Sequence, residues 1–433
     1  MKAMAASIGR LCAGVALACL LSLAGPARSS SVPDELLVQF APHSTESARE
    51  AALSGVQARV LQTLRPGLLR VALAPGLSTD AAARQLGRQP GVAFAEAHVV
   101  YRPLAVLNDP YYLNGSLWGM EGDQDPDHFN PFGSQAARAW AQGHTSCGDV
   151  AVAVLDTGAQ HPHPDLRANH WRNPGEIPGN GIDDDGNGLI DDVDGWDFAH
   201  NDNTVYDDPV EDLHGTHVSG TIGARGGNGR GVVGVCWKLQ LLTVKFMDAG
   251  GGTSANAVRA IDYLIDLKTR HGLRLVAINA SWGSAAESKA LKQAIQRAGE
   301  AGILLVAAAG GSGNDNDTQP MYPASYPLPT VVAVTSIDAG GALGPRANHG
   351  AQSVDLGAPG EGIWSTVPRG GYAQLSGTSM AAAHVSGGLA LLAQRARGAD
   401  ALALKQQLLD ATTPTPALTG LTLTGGRLDL RGF

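Results

Sequence analysis

The stretch VAVAVLDTG, residues 150–158, decides the fold. Its apolar residues run on without a polar alternate, so both faces of the strand they form are buried. That is the pattern of a parallel sheet covered by helices on both sides, not of an antiparallel sheet with one wet face. The strand ends in Asp156, followed by the turn pair Thr157-Gly158. Open α/β sheets hold their ligands at the carboxyl ends of their strands, which is where this carboxylate stands.

The same pattern recurs in LQLLTVKF (239–246), LVAINAS (275–281), ILLVAAAG (303–310) and VVAVTSI (331–337). Between these runs, SANAVRAIDYLIDLKTRHG (254–272) and SKALKQAIQRAGEAG (288–302) carry apolar residues at helical spacing, with serine starts and glycine stops. Alternating strands and helices predict an α/β domain with a doubly wound, mostly parallel sheet. We place this domain at residues 109–433, with a turn-rich joint before it.

Upstream, residues 32–104 predict a small, separate domain. ELLVQF, ARVLQTL, LLRVAL and VAFAEAHVVY are strand candidates, with the helical segments STESAREAALSG and STDAAARQLGRQPG among them. The order β-α-β-β-α-β is that of a ferredoxin-like α+β domain. Residues 1–27 read as a secretory signal: Lys2 and Arg10, then the apolar run Leu11–Ala24, then small residues with cleavage expected after Ala27. The run is too short to span a bilayer. Attachment of lipid at Cys19 is the alternative, but ALAC lacks the large aliphatic residue expected three places before the cysteine. The mature chain is expected outside the cytoplasm, periplasmic or extracellular, with no further membrane segment, and monomeric.

The chain has 433 residues, 44% of them hydrophobic, and a net charge of −9 with no Lys/Arg cluster, which argues against a nucleic-acid partner. Of four cysteines, two leave with the signal, and Cys147 and Cys236 remain in an oxidising setting. Each precedes an apolar run, so neighbouring strands could join them in a disulfide; two buried free thiols are the alternative.

Three residues are candidates for chemistry. Ser379 opens the small-residue helix GTSMAAAHVSGG (377–388), where a serine is by itself an ordinary helix-start residue. His214 lies in DLHGTHVSGTIG (212–223), and Asp156 ends the first buried strand. His214 and His217 together also suggest a metal, but no second ligand cluster accompanies them. A serine nucleophile needs a base to take its proton, and the base needs an acid to fix its tautomer. The chain order of acid, base and nucleophile is one known arrangement of such a triad.

Between acid and base motifs lies GIDDDGNGLIDDVDGWDF (181–198). From Asp183 the spacing of Asp185, Asn187, Gly188, Asp191 and Asp194 follows the calcium-loop template, with Leu189 offering a carbonyl oxygen. An exposed acidic loop is the alternative.

VAVLDTG, HGTHVSGTI and GTSMA together resemble the three motifs of the subtilisin-like serine proteases, and the resemblance runs from about Asp109 to about residue 398. It implies that Asp156, His214 and Ser379 form the triad, and that polypeptides are the substrates. It implies that residues 32–104 are an inhibitory propeptide, with self-cleavage between Tyr101 and Asp109. Gly251 and Gly252, Ser281-Trp282-Gly283, and Ala309-Gly310 match the segments that flank a substrate backbone bound as an extended strand, and Trp282 is expected to line a side-chain pocket. Related proteases carry a similar acidic insert, which supports structural Ca2+, and Asp165 matches a position that often serves calcium.

Two departures stand out. The family places an asparagine after AAAG, whose amide forms half of the oxyanion hole, and Gly311 stands there instead. The backbone N–H of Ser379 and the hydroxyl of Thr378 are the remaining oxyanion candidates, with Ser312 and Asn314 nearby. Ala383 replaces a proline, with an expected effect on the balance of hydrolysis and aminolysis. The competing reading is an attenuated or non-catalytic homologue that binds peptides or a partner, with Gly311 as its mark.

Overall fold

The computed structural model describes residues 31–74, 76–99, 107–124, 128–248 and 250–433. The signal segment, Cys19 and the first residues of the expected self-cleavage stretch lie outside the described residues. The described chain forms two compact units, one up to Val99 and one from Leu107.

The first unit has the expected β-α-β-β-α-β order. Its antiparallel sheet runs Arg59–Arg65, Leu68–Ala72, Ser31–Phe40, Val92–Val99 from edge to edge. In the Ser31–Phe40 strand, Leu36, Val38 and Phe40 are buried and the residues between them are not, so only one face meets the two helices. Thr45 and Ser78 cap those helices by accepting from the N–H groups of Ala48 and Ala81.

In the second unit the main sheet runs Thr413–Pro414, Gly426–Arg427, Leu356–Pro359, Val331–Ile337, Leu304–Ala308, Leu275–Ala280, Ser146–Asp156, Lys238–Lys245, Trp196–Asp197. All neighbours are parallel except the first pair. The unbroken apolar run explains the two layers. Val150, Val152 and Val154 face a core shared with the helices Leu213–Gly223 and Thr378–Arg395. Ala151, Ala153 and Leu155 face the opposite core, with Ser254–Thr269 and Lys289–Glu300. This is the doubly wound α/β arrangement that the alternation predicts.

The Thr378–Arg395 helix is buried around almost its whole circumference, from Met380 to Ala393. A helix apolar on every side belongs in a core, and its alanines and glycines let strands approach closely. Elements the sequence pattern does not show include Leu356–Pro359, the hairpin Ile363–Val367/Gly371–Leu375 and the helix Ala401–Asp410. The first is four residues containing glycine and proline, too short and broken for a periodic signal.

Candidate active site

Asp156 is the last residue of its strand and is fully buried, in register with Lys245 on the neighbouring strand. Its Oδ1 lies 2.7 Å from Nδ1 of His214 and accepts the N–H of Thr157 at 2.8 Å. Glycine makes this meeting possible. A Cβ on Gly215 would come within 2.1 Å of the Gly158 carbonyl oxygen, so only glycine lets the His214 helix lie against the strand-end turn. The N–H of Gly215 then donates to the Thr157 hydroxyl at 3.1 Å. Burial pushes the imidazole of His214 down, but the charge and hydrogen bond of Asp156 outweigh it, and its pKa is raised above the usual histidine value.

Ser379 stands in the first turn of the central helix, entered through Gly377 at φ 143°. Backbone N–H groups there have no acceptor within the helix and carry the positive end of its dipole. The Ser379 hydroxyl donates to the carbonyl of Ser281 at 3.1 Å rather than to His214. Ser281 in turn donates from its own hydroxyl to the carbonyl of Ser379 at 2.9 Å. Ser281 follows the strand adjacent to that of Asp156, so both residues stand at one edge of the sheet. Catalytic hydrogen bonds are often loose without substrate, and turning one side-chain torsion frees the hydroxyl.

A residue missed at the sequence level completes this network. Asn279, fully buried, donates to the Ser281 hydroxyl at 2.9 Å and accepts from Ser386 Oγ at 2.8 Å. Ser386 lies on the same helix as Ser379. The signal was present in LVAINAS: one amide inside a buried apolar strand must find partners or cost stability.

The oxyanion candidates divide. The Thr378 hydroxyl is engaged with the main chain of Gly310, accepting its N–H at 3.1 Å and donating to its carbonyl at 3.2 Å. Asn348 accepts from the N–H groups of Ser312 and Asn314 and donates to Asn316, which donates to Ala309 O. Both amides are therefore spent on holding the 309–316 loop. Gly311 is exposed, and a Cβ there would meet nothing within 4 Å. The gap left by the glycine is open, and it adjoins a cavity of about 370 Å3 lined by Arg346, Glu361 and Thr378 among others.

Gly251 and Gly252 form a short exposed strand antiparallel to Met247–Asp248. Trp282 is half-buried. Its indole N–H donates to Leu155 O at 2.8 Å and its ring packs on Phe246, so it buttresses the strand that ends in Asp156. Gly283 is exposed beside Met321, and the following residue, Ser284, pairs with Tyr322. Ala383 is the sixth residue of its helix, not part of the first turn, so its N–H points along the helix toward the Ser379 carbonyl.

The acidic loop does not close as one ligand set. Asp183 accepts from the N–H groups of Gly186, Asn187 and Gly188, and Asp185 accepts from Asn187 and Asn173. Asn187 turns its amide to Asp185 and Asp192, and its carbonyl takes the N–H of Leu189. Asp191 instead takes the N–H groups of residues 179–181, and Asp194 pairs with His170 at 3.0 Å. Two carboxylates that spacing did not single out, Glu176 and Asp192, share hydrogen bonds with this loop. Glu176 lies with Asp183 and Asp185, ligand atoms within 4.8 Å of one another, and Asp192 is fully buried. Oε2 of Glu176 is buried with no hydrogen-bond partner, and burial, with help from the charge of Asp192, raises its pKa. An orphaned buried carboxylate oxygen among carboxylates fits a hard, oxygen-seeking cation. Asp165 accepts from Asn228, the Val232 N–H and Tyr372, and so anchors loops.

Cys147 and Cys236, both fully buried, are joined in a disulfide with Cα atoms 6.2 Å apart.

A parallel sheet whose carboxyl edge gathers a buried carboxylate, an imidazole and a helix-start serine has the arrangement of a serine hydrolase. Residues 148–425 match the subtilase family, and residues 23–98 match the fervidolysin N-terminal prodomain. Thermitase of Thermoactinomyces vulgaris is 34% identical over 67% of this chain and 87% of its own length. A thermophilic serine proteinase of Bacillus sp. (strain AK1) is 30% identical over 93% of this chain and 87% of its own. A solved structure of a cold adapted subtilisin-like serine proteinase covers 73% of this chain and 98% of its own at a TM-score of 0.55 and 26% identity. The chain belongs to the subtilase family and is a subtilisin-like serine endopeptidase with an N-terminal prodomain.

Proposed function

We propose that the protein is a secreted endopeptidase made as a zymogen, in which residues 32–104 are an inhibitory propeptide removed by self-cleavage between Tyr101 and Asp109, leaving a monomeric catalytic domain from Asp109. The observation that carries the reading is the 2.7 Å contact of His214 with Asp156, at the sheet edge where Ser379 is also held. Ser379 attacks the scissile carbonyl of an extended polypeptide. His214 takes the hydroxyl proton through Nε2 and returns it to the leaving amine, while Asp156 holds Nδ1–H and stabilises the imidazolium. The Ser379 N–H is the one oxyanion donor this reading retains; with Gly311 and with Thr378 engaged, the hole is short of its second. Gly251-Gly252 and Ser281-Trp282-Gly283 offer main chain to the substrate, which favours breadth over sequence specificity, whereas the main-chain groups of Ala309 and Gly310 are taken by Val334, Asn316, Thr378 and Asn348 and only border the cleft.

Calcium is the structural cation in this reading, held by Glu176, Asp183 and Asp185. Its role is to neutralise a crowded set of carboxylates, not to take part in the chemistry.

The test is expression of the full chain beside Ser379→Ala, with N-terminal sequencing of both. Under this reading the wild-type chain begins between Tyr101 and Asp109, and the Ser379→Ala chain retains the prodomain. An intact wild-type chain would favour the non-catalytic alternative.

A further inference from the structure

Asp194 leaves the expected calcium loop for two histidines. His170 Nε2 lies 3.0 Å from Asp194 Oδ1, and His161 Nε2 lies 3.9 Å from Asp194 Oδ2. The two imidazoles stack with centroids 4.6 Å apart and planes inclined by 25°. Three separate segments supply these groups: the turn beyond Asp156, the stretch that bridges to Leu241 on the Lys238–Lys245 strand, and the end of the acidic loop.

We propose that His161, His170 and Asp194 form a binding site for a divalent transition-metal cation of the zinc type. Nitrogen and oxygen atoms bound to one tetrahedral zinc at ~2.0–2.1 Å sit roughly 3.3 Å from one another. Asp194 meets the two nitrogens through different oxygens, and one ligand atom from each of the three residues lies within 4.8 Å of the others, so side-chain adjustments that draw them together complete three ligands, with water in the fourth place. Two imidazoles with one carboxylate suit a borderline cation, whereas calcium takes oxygen ligands almost alone. His170 is held in place, its side chain only 6% exposed. His161 Nδ1 is buried without a hydrogen-bond partner, so its stacking on His170 and whatever binds Nε2 fix the ring.

The competing occupant is Arg172, whose Nε lies 3.4 Å from Asp194 Oδ1. Its side chain is 61% exposed and can swing into solvent. The neighbouring Asp197, His200 and Asp207 group is a useful contrast. There the ammonium of fully buried Lys245 already rests on Asp207, so the position of a cation is filled. An occupied zinc site would tie the turn beyond Asp156 to the acidic loop.

The experiment titrates Zn2+ alone, in excess Ca2+, into the full chain carrying Ser379→Ala to prevent self-digestion, read by calorimetry. The expected result is one saturable equivalent, weakened at least about tenfold by His161→Gln, His170→Gln or Asp194→Asn and unchanged by His200→Gln. Far-UV circular dichroism checks that each variant folds. Co2+ in place of Zn2+ gives the visible absorption of a four-coordinate site, lost in the same variants. No saturable binding, or binding that survives His161→Gln and His170→Gln in folded protein, overturns the proposal. So does equal loss in His200→Gln.

Discussion

At the scale of single residues, Gly311 is the clearest departure from what the chemistry asks for. One oxyanion donor is worth ~10²–10³ in kcat, and the space at Gly311 is open with no left-handed backbone to forbid a side chain. Gly311→Asn is therefore expected to raise kcat by about tenfold or more with little change in KM, measured on a peptide substrate. An unchanged kcat would mean that another group already serves. His214 gives a second expectation. Its active form is neutral, and the Asp156 carboxylate holds its pKa above the ordinary value of 6.5. kcat/KM should thus rise with pH through a midpoint above that value, with activity lost below it as the imidazole takes a proton. Asp156→Asn removes the charge that raises the pKa, so the midpoint should move down while kcat falls steeply; a midpoint unmoved in the pH–rate profile would assign the titration to another group. These residues were legible in the sequence because each sits in a short motif with a glycine beside it. The partners of Asn279 and the engagement of Thr378 were not, since they depend on which strands lie next to one another.

At the scale of elements, the acidic loop separates spacing from geometry. A template aligned on Asp183 assumes that one continuous turn aims every acid inward, but Asp191 adopts φ 52° and turns to the residues 179–181. Glu176, before the template begins, lies with Asp183 and Asp185 instead. Removing calcium with a chelator should lower the melting temperature of the purified enzyme, and restoring it at 100 times Kd should return ~2.7 kcal/mol. Glu176→Gln and Asp183→Asn should shrink that increment, whereas Asp194→Asn should leave it intact. An increment lost only in Asp194→Asn, by calorimetry, would restore the template reading. The helices posed no such difficulty. Lys289–Glu300 is capped by the expected Ser288, and Ser254–Thr269 by Thr253, one residue before the expected serine; both hydroxyls accept capping bonds, because helix periodicity and capping are local properties.

At the scale of the whole molecule, the doubly wound sheet and the small α+β unit followed from the runs and their order, since a run buried on both faces admits few other architectures. What escaped was the edge of the sheet, where strands of two to four residues carry no pattern. The disulfide closes a separation of 89 residues between the chain entering the Asp156 strand and that entering its neighbour. In the loop-entropy view a link of that span stabilises by ~4–5 kcal/mol. The amide–hydroxyl chain from Ser386 through Asn279 to Ser281 ends on the main-chain carbonyl of Ser379 and gives that residue a different kind of security. Its backbone position is inherited from the buried interior of the protein, so under the proposed mechanism substrate loops can diversify around it over evolutionary time without displacing it.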